Sequence, residues 1–126
     1  MNEEPNNRPE YQGIEKWSRE EVERALAADV AEALSRAVLA VTLHDDDWRY
    51  GQDLCVRLAS HAHYLVRGNA VLGLGHLARV FRQLDEKVAY PVIAAALRDE
   101  EAYVRGQAEC AKDDTAQFLG WKYGTG

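Results

Sequence analysis

The residues best suited to chemistry in this sequence are four histidines, two cysteines and two runs of aspartate. His61-x-His63, together with His44 and His76, has the form of a turn whose two imidazoles can converge on one ion. No further Cys or carboxylate stands at a matching spacing, and Cys55 falls on an apolar helical stripe, so no metal is expected. Asp45-Asp46-Asp47 and Asp113-Asp114 can attract a hard cation, but they lack the alternating oxygen ligands and central Gly of a calcium loop. Helix capping and solvation account for them, and an acidic patch for a basic partner is the alternative. Gly73-Leu74-Gly75 has no Lys or Ser/Thr after it and no strand before it, so it is not a phosphate loop. Close helix packing is its expected role, and it must compensate ~1 kcal/mol per Gly relative to Ala. Ser60 adjoins His61, but sequence neighbours do not face each other on a helix, and no nucleophile elbow surrounds them. No catalytic constellation stands out, so neither an enzyme nor a cofactor is expected.

The aromatics carry more information. Trp48 and Tyr50 follow the triple Asp, Tyr64 and Tyr103 each precede a Val-Arg pair, and Trp121 and Tyr123 lie near the end of the chain. Tyr and Trp bury large areas with little entropy loss, which makes them favoured anchors in protein interfaces. The predicted partner-binding set is therefore Asp45, Asp46, Asp47, Trp48, Tyr50, Tyr64, Tyr103, Asp113 and Asp114. Aligned on one edge, Trp48, Tyr64 and Tyr103 would combine apolar anchors with acid. As an alternative, Trp48 and Trp121 are half-buried cap residues.

The totals narrow the partner. The chain has 126 residues, 47% of them apolar and 29% charged, which fits one domain with a real core. No stretch approaches 18 apolar residues, so a membrane is not an expected partner. The start, Met1-Asn-Glu-Glu-Pro-Asn-Asn, lacks the apolar region of a secretory signal, and the expected address is cytoplasmic. Cys55 and Cys110 then read as buried thiols, not a disulfide. The net charge is −6, with 13 acidic and 7 basic residues in positions 1–63 against 8 and 8 in 64–126. Nucleic acid needs Lys and Arg for its phosphates and is a poor partner. A basic protein is a better one, although an acidic balance also serves solubility alone. A monomer or weak dimer is expected.

Helices must position these residues. Residues 1–17, with Pro5, Pro9 and Gly13, predict a flexible lead-in from which Tyr11, Ile14 and Trp17 dock on the body. A helical domain over 18–123 follows. Ser18-Arg-Glu-Glu21 has the form of a capping box. From Val22 to Val41 apolar residues recur at spacings of three and four without Gly or Pro, predicting one helix over about 19–43. Asp45-Asp46-Asp47 caps a second helix from Trp48. His61-Ala62-His63 forms a turn before a third, which ends near Gln83. Asp85 caps a fourth, and Asp99-Glu-Glu101 forms a turn before a fifth. Asp113-Asp114 recaps a last turn holding Phe118, Leu119 and Trp121. No window shows the alternation of a strand.

The chain also repeats itself. Val66-Arg67-Gly68-Asn69-Ala70 returns as Val104-Arg105-Gly106-Gln107-Ala108, and Tyr64 and Tyr103 precede the copies at nearly the same place. With Pro91, Leu97-Arg98-Asp99 and Val104-Arg105…Ala108 in this order, residues 88–114 resemble a HEAT repeat. Residues 47–83 resemble one in part, with no Pro and with His61 in the place of Asp99. The resemblance covers about two-thirds of the chain. It implies an all-α fold, a short HEAT-like stack of about five helices (an α-α superhelix or solenoid), whose hairpins share a core plugged by Val66 and Val104. It also implies a ladder in which Arg67 meets Asp99 and Arg105 is the equivalent residue. An Arg in the first turn opposes the helix dipole and needs such a partner.

These features predict a protein–protein interaction module, in its most concrete form an immunity-type protein neutralising a basic toxin such as a nuclease. The alternative is a HEAT-like enzyme accessory or lyase-type domain acting on a cofactor-bearing protein.

Overall fold

The structure is a computed structural model that describes residues 15–124. The described residues form six helices and no strand: α1 (Arg19–Ala28), α2 (Ala31–His44), α3 (Trp48–Leu58), α4 (Tyr64–Phe81), α5 (Glu86–Ala96) and α6 (Ala102–Leu119). Most of the expected flexible lead-in, including Tyr11 and Ile14, lies outside the described residues. Trp17 is half-buried against the core.

Local chemistry sets most of the boundaries. Ser18 and Glu21 close a capping box on α1. Asp47 accepts from the amides of Arg49 and Tyr50 to start α3, His63 accepts from Leu65 to start α4, and Asp85 accepts from Lys87 to start α5. Two boundaries differ from the sequence expectation. The run over 19–43 is two helices, because Asp29 turns to a left-handed φ of 57° and Val30 becomes extended. Asp is among the few non-glycine residues that tolerate this region. Its carboxylate is held from outside the helix, with Oδ1 2.7 Å from Nε2 of His61. Conversely, Asp113-Asp114 does not recap a turn. Helix α6 runs through it to Leu119 and stops at Gly120, whose φ is 72°.

The helices pair as α1/α2, α3/α4 and α5/α6. The second member of each pair lies in one row, with α4 between α2 and α6, while α3 and α5 touch in the other layer. Val66, Val104, Ala70 and Ala108 are all buried in the one shared core, beside Leu34, Leu74, Leu77 and Ile93. The glycines of α4 allow the row to close up. A Cβ at Gly73 would stand 2.7 Å from Cys55 Sγ and 2.9 Å from Val38 Cγ1, and one at Gly75 3.1 Å from Ala111 Cα. Of the two thiols expected to be buried, Cys55 is, and burial raises its pKa; Cys110 is exposed on α6. Its helical stripe neighbours Ala108 and Ala111 point inward, and it does not.

Candidate protein-binding surface

The fold separates the predicted partner-binding residues into two groups. Gly51 at the start of α3 faces Leu77 near the end of α4, so the hairpin is antiparallel. Asp47 and Trp48 therefore sit by the C-terminal end of α4 and Tyr64 at its N-terminal end. With 18 residues in α4, the two groups are about 27 Å apart at 1.5 Å per residue. A single edge combining Trp48 with Tyr64 and Tyr103 does not form.

At the first end, Lys16, Arg19 and Asp45 to Trp48 line an open depression of about 660 Å³. Asp45 is buried and works inward: Oδ1 accepts from the Asp47 amide at 2.9 Å, and Oδ2 is 3.5 Å from Arg19 Nε. Arg19 also lies 3.6 Å from the centre of the Tyr50 ring. Tyr50 is half-buried, its hydroxyl has no partner among the described residues, and burial raises its pKa against the pull of Arg19. Asp45 and Tyr50 thus brace α1 against α3. Asp46, with a side chain 99% exposed, lies 4.0 Å from Lys16 Nζ, and Asp47, 52% exposed, lies 3.5 Å from Arg19 Nη2; Trp48 beside them is half-buried. Asp114 is 3.5 Å from Arg79 on α4, and burial raises its pKa; Asp113 is exposed.

At the second end the aromatics form a strip. His63 stacks on Tyr64 at 5.3 Å, and Tyr64 meets Tyr103 edge-on at 6.0 Å. Tyr64 and Tyr103 are among the few large apolar side chains that are exposed, together with Val30 in the α1–α2 turn. Tyr103 is held in place: its ring lies on the bare backbone of Gly68, and its hydroxyl donates to Asn69 Oδ1. Asn69 in turn donates to Ser35 Oγ at 2.9 Å, which links α6, α4 and α2. Rings pinned before binding lose less entropy on binding. Sequence reasoning missed Ser35 and Asn69. Their one signal was an equal spacing of 34 residues from 35 to 69 to 103, close to the interval between successive row helices, which start at Ala31, Tyr64 and Ala102.

Beneath the strip, Arg67 grips Asp99 with two hydrogen bonds, Nε to Oδ2 at 2.8 Å and Nη2 to Oδ1 at 2.9 Å. The remaining nitrogen donates to the carbonyls of His61 and Ala62. These bonds hold the Asp99 carboxyl below its ordinary pKa, and the Glu101 amide helps. Arg105 repeats the carbonyl contact, donating to Asp99 O at 2.7 Å. His61, in the place of Asp99, faces Asp29. Trp121 is buried, and Tyr123 stacks on Tyr90 at 4.7 Å, so both belong to the body. Among the described residues no group of three or more His, Cys, Asp or Glu could hold a metal, and no helix is long and apolar enough to cross a membrane.

The fold and surface define an all-helical protein of three stacked hairpins with an exposed acidic patch at one end and an exposed aromatic strip at the other. No protein-family model and no curated protein matches the chain. Among solved structures it is similar to a chain in the crystal structure of a CDI complex from Cupriavidus taiwanensis LMG 19424. The two are 26% identical with a TM-score of 0.74, over 88% of this chain and 98% of that one.

Proposed function

We propose that this chain is an immunity-type protein of contact-dependent inhibition, which binds and blocks a basic toxin such as a nuclease, and that it is not an enzyme. The observation that carries this reading is the likeness to a chain of a CDI complex, which extends over nearly the full length of both chains. The acidic excess fits a basic partner, because opposite potentials speed and orient encounter. Asp46, Asp47 and Trp48 at one end, with Tyr64 and Tyr103 at the other, are its contact residues. We also read the stack as a short HEAT-like solenoid. The row of second helices and the Arg67–Asp99 pair support this.

The test is co-expression with the toxin domain of a contact-dependent inhibition system, taken first from any toxin gene that adjoins this one. Expected are survival of the cells and a 1:1 complex whose association slows on the order of tenfold from low to physiological salt. Asp46→Asn with Asp47→Asn keeps the α3 cap, since Asn caps as Asp does, yet should remove much of that salt dependence. Failure to recover a complex at low salt refutes the proposal.

A further inference from the structure

The first copy of Val-Arg-Gly-x-Ala is a receptor for the hairpin that follows it. Arg67 takes the Asp99 carboxylate in a two-pronged grip. Gly68 takes the Tyr103 ring, so close that a Cβ there would stand 2.7 Å from Cε2 and 2.8 Å from Cδ2. A carboxylate four residues ahead of an aromatic ring, at the start of a helix, is thus what an Arg-Gly step on the preceding helix receives.

The second copy offers the same step with nothing in it. Arg105 is exposed, and one nitrogen donates to Asp99 O, as the matching nitrogen of Arg67 donates to His61 O. Among the described residues no carboxylate meets its Nε or Nη2. Gly106 is exposed, and a Cβ there would meet nothing within 4 Å. Gln107, in the place of Asn69, leans back on Gly68 and leaves the step open. Gly within a helix is less favourable than Ala, and a cation in the first turn opposes the dipole. At the first copy, packing and the Asp99 carboxylate compensate for both; at the second, nothing among the described residues packs on the Gly, and Arg105 has a carbonyl and exposed neighbouring carboxylates but no two-pronged grip.

The geometry points to the Arg105–Gly106 edge of α6 as a docking site for a segment of the partner protein that carries Asp or Glu four residues before an aromatic residue at a helix start. Arg105 takes the carboxylate and the ring lies on Gly106. Exposed Glu101 and Glu109, one turn to either side of Arg105, favour basic residues flanking that segment. The occupant is the toxin of the proposed function, and the inference rests on that reading.

The test compares the full chain with its Gly106→Ala, Gly106→Leu and Arg105→Gln variants, by calorimetry against the toxin domain that the co-expression test identifies and by thermal melting. Expected are a Gly106→Ala variant that melts at or above the parent temperature yet binds less tightly, a Gly106→Leu variant that binds at least tenfold more weakly, and a similar loss for Arg105→Gln. Opposite signs in melting and binding separate docking from a merely structural role. If the parent binds and Gly106→Leu binds equally well, this site is refuted and the proposed function stands. If the parent forms no complex, both fall. If Gly106→Leu instead abolishes self-association and spares the toxin, the edge receives a second copy of the chain and the assignment of its partner is overturned.

Discussion

His76 carries its consequence at the scale of one proton. It is buried in α4, with Nδ1 3.4 Å from the hydroxyl oxygen of Thr42, and burial, aided by Arg79, lowers its pKa from 6.5 to about 4. The neutral ring belongs to the fold, whereas the unfolded chain binds the proton already near pH 6.5. Stability should therefore fall as the pH drops from about 6.5 to about 4, by about 3 kcal/mol in all. In His76→Gln this slope should flatten; a denaturation midpoint that still falls as steeply with acid refutes the assignment. Asp99 acts in a lower window. Its pKa is depressed by Arg67, so its contribution is present above its ordinary 3.8 and lost as the pH falls below it. Arg67→Met leaves that carboxylate, with a side chain only 16% exposed, without its fork. A loss of about 1–3 kcal/mol should appear in equilibrium unfolding, with Arg67→Lys intermediate. No loss would mean that the pair is ornamental to stability. Residue types foretold where a carboxylate could cap a helix, as at Asp47 and Asp85. They did not foretell that Asp45 turns inward to Arg19, because that contact joins positions 26 residues apart.

At the scale of the helix, periodicity revealed what was apolar but not where the chain turns. The stripe from Val22 to Val41 continues across the α1–α2 turn because both helices face one core, and the break itself rests on Asp29 and its distant partner His61. Asp113-Asp114 has the appearance of a cap only while Arg79 is out of view. Glycine likewise takes its meaning from the neighbouring helix. Gly73→Ala should improve local helix propensity and still destabilise the protein by about 1–3 kcal/mol, since the new methyl would press on Cys55 and Val38. A variant as stable as the parent would show that α2 and α3 can yield.

For the whole molecule, the α1/α2 hairpin reads in the sequence as one helix, but the all-helical class, the α3/α4 and α5/α6 pairs and the core valines could be read from it. The distribution of the surface could not. Tyr64 and Trp48 are 16 residues apart in the chain and fall at opposite ends, because a hairpin sends its two starts in opposite directions. Only the pairing of α3 with α4 decides this. A partner touching both groups must span the length of α4, and one smaller than that must choose between them.

The position of α4 has one more implication. It touches α2, α3, α5 and α6, whereas α1 leans on α2. Most of the packing that joins the two outer hairpins runs through α4, with the α3–α5 contact as a thinner second path. Backbone amides should therefore exchange with deuterium last along α4 and first along α1, as local opening follows the density of support. Uniform exchange over all six helices would mean instead that the chain opens only as a single unit.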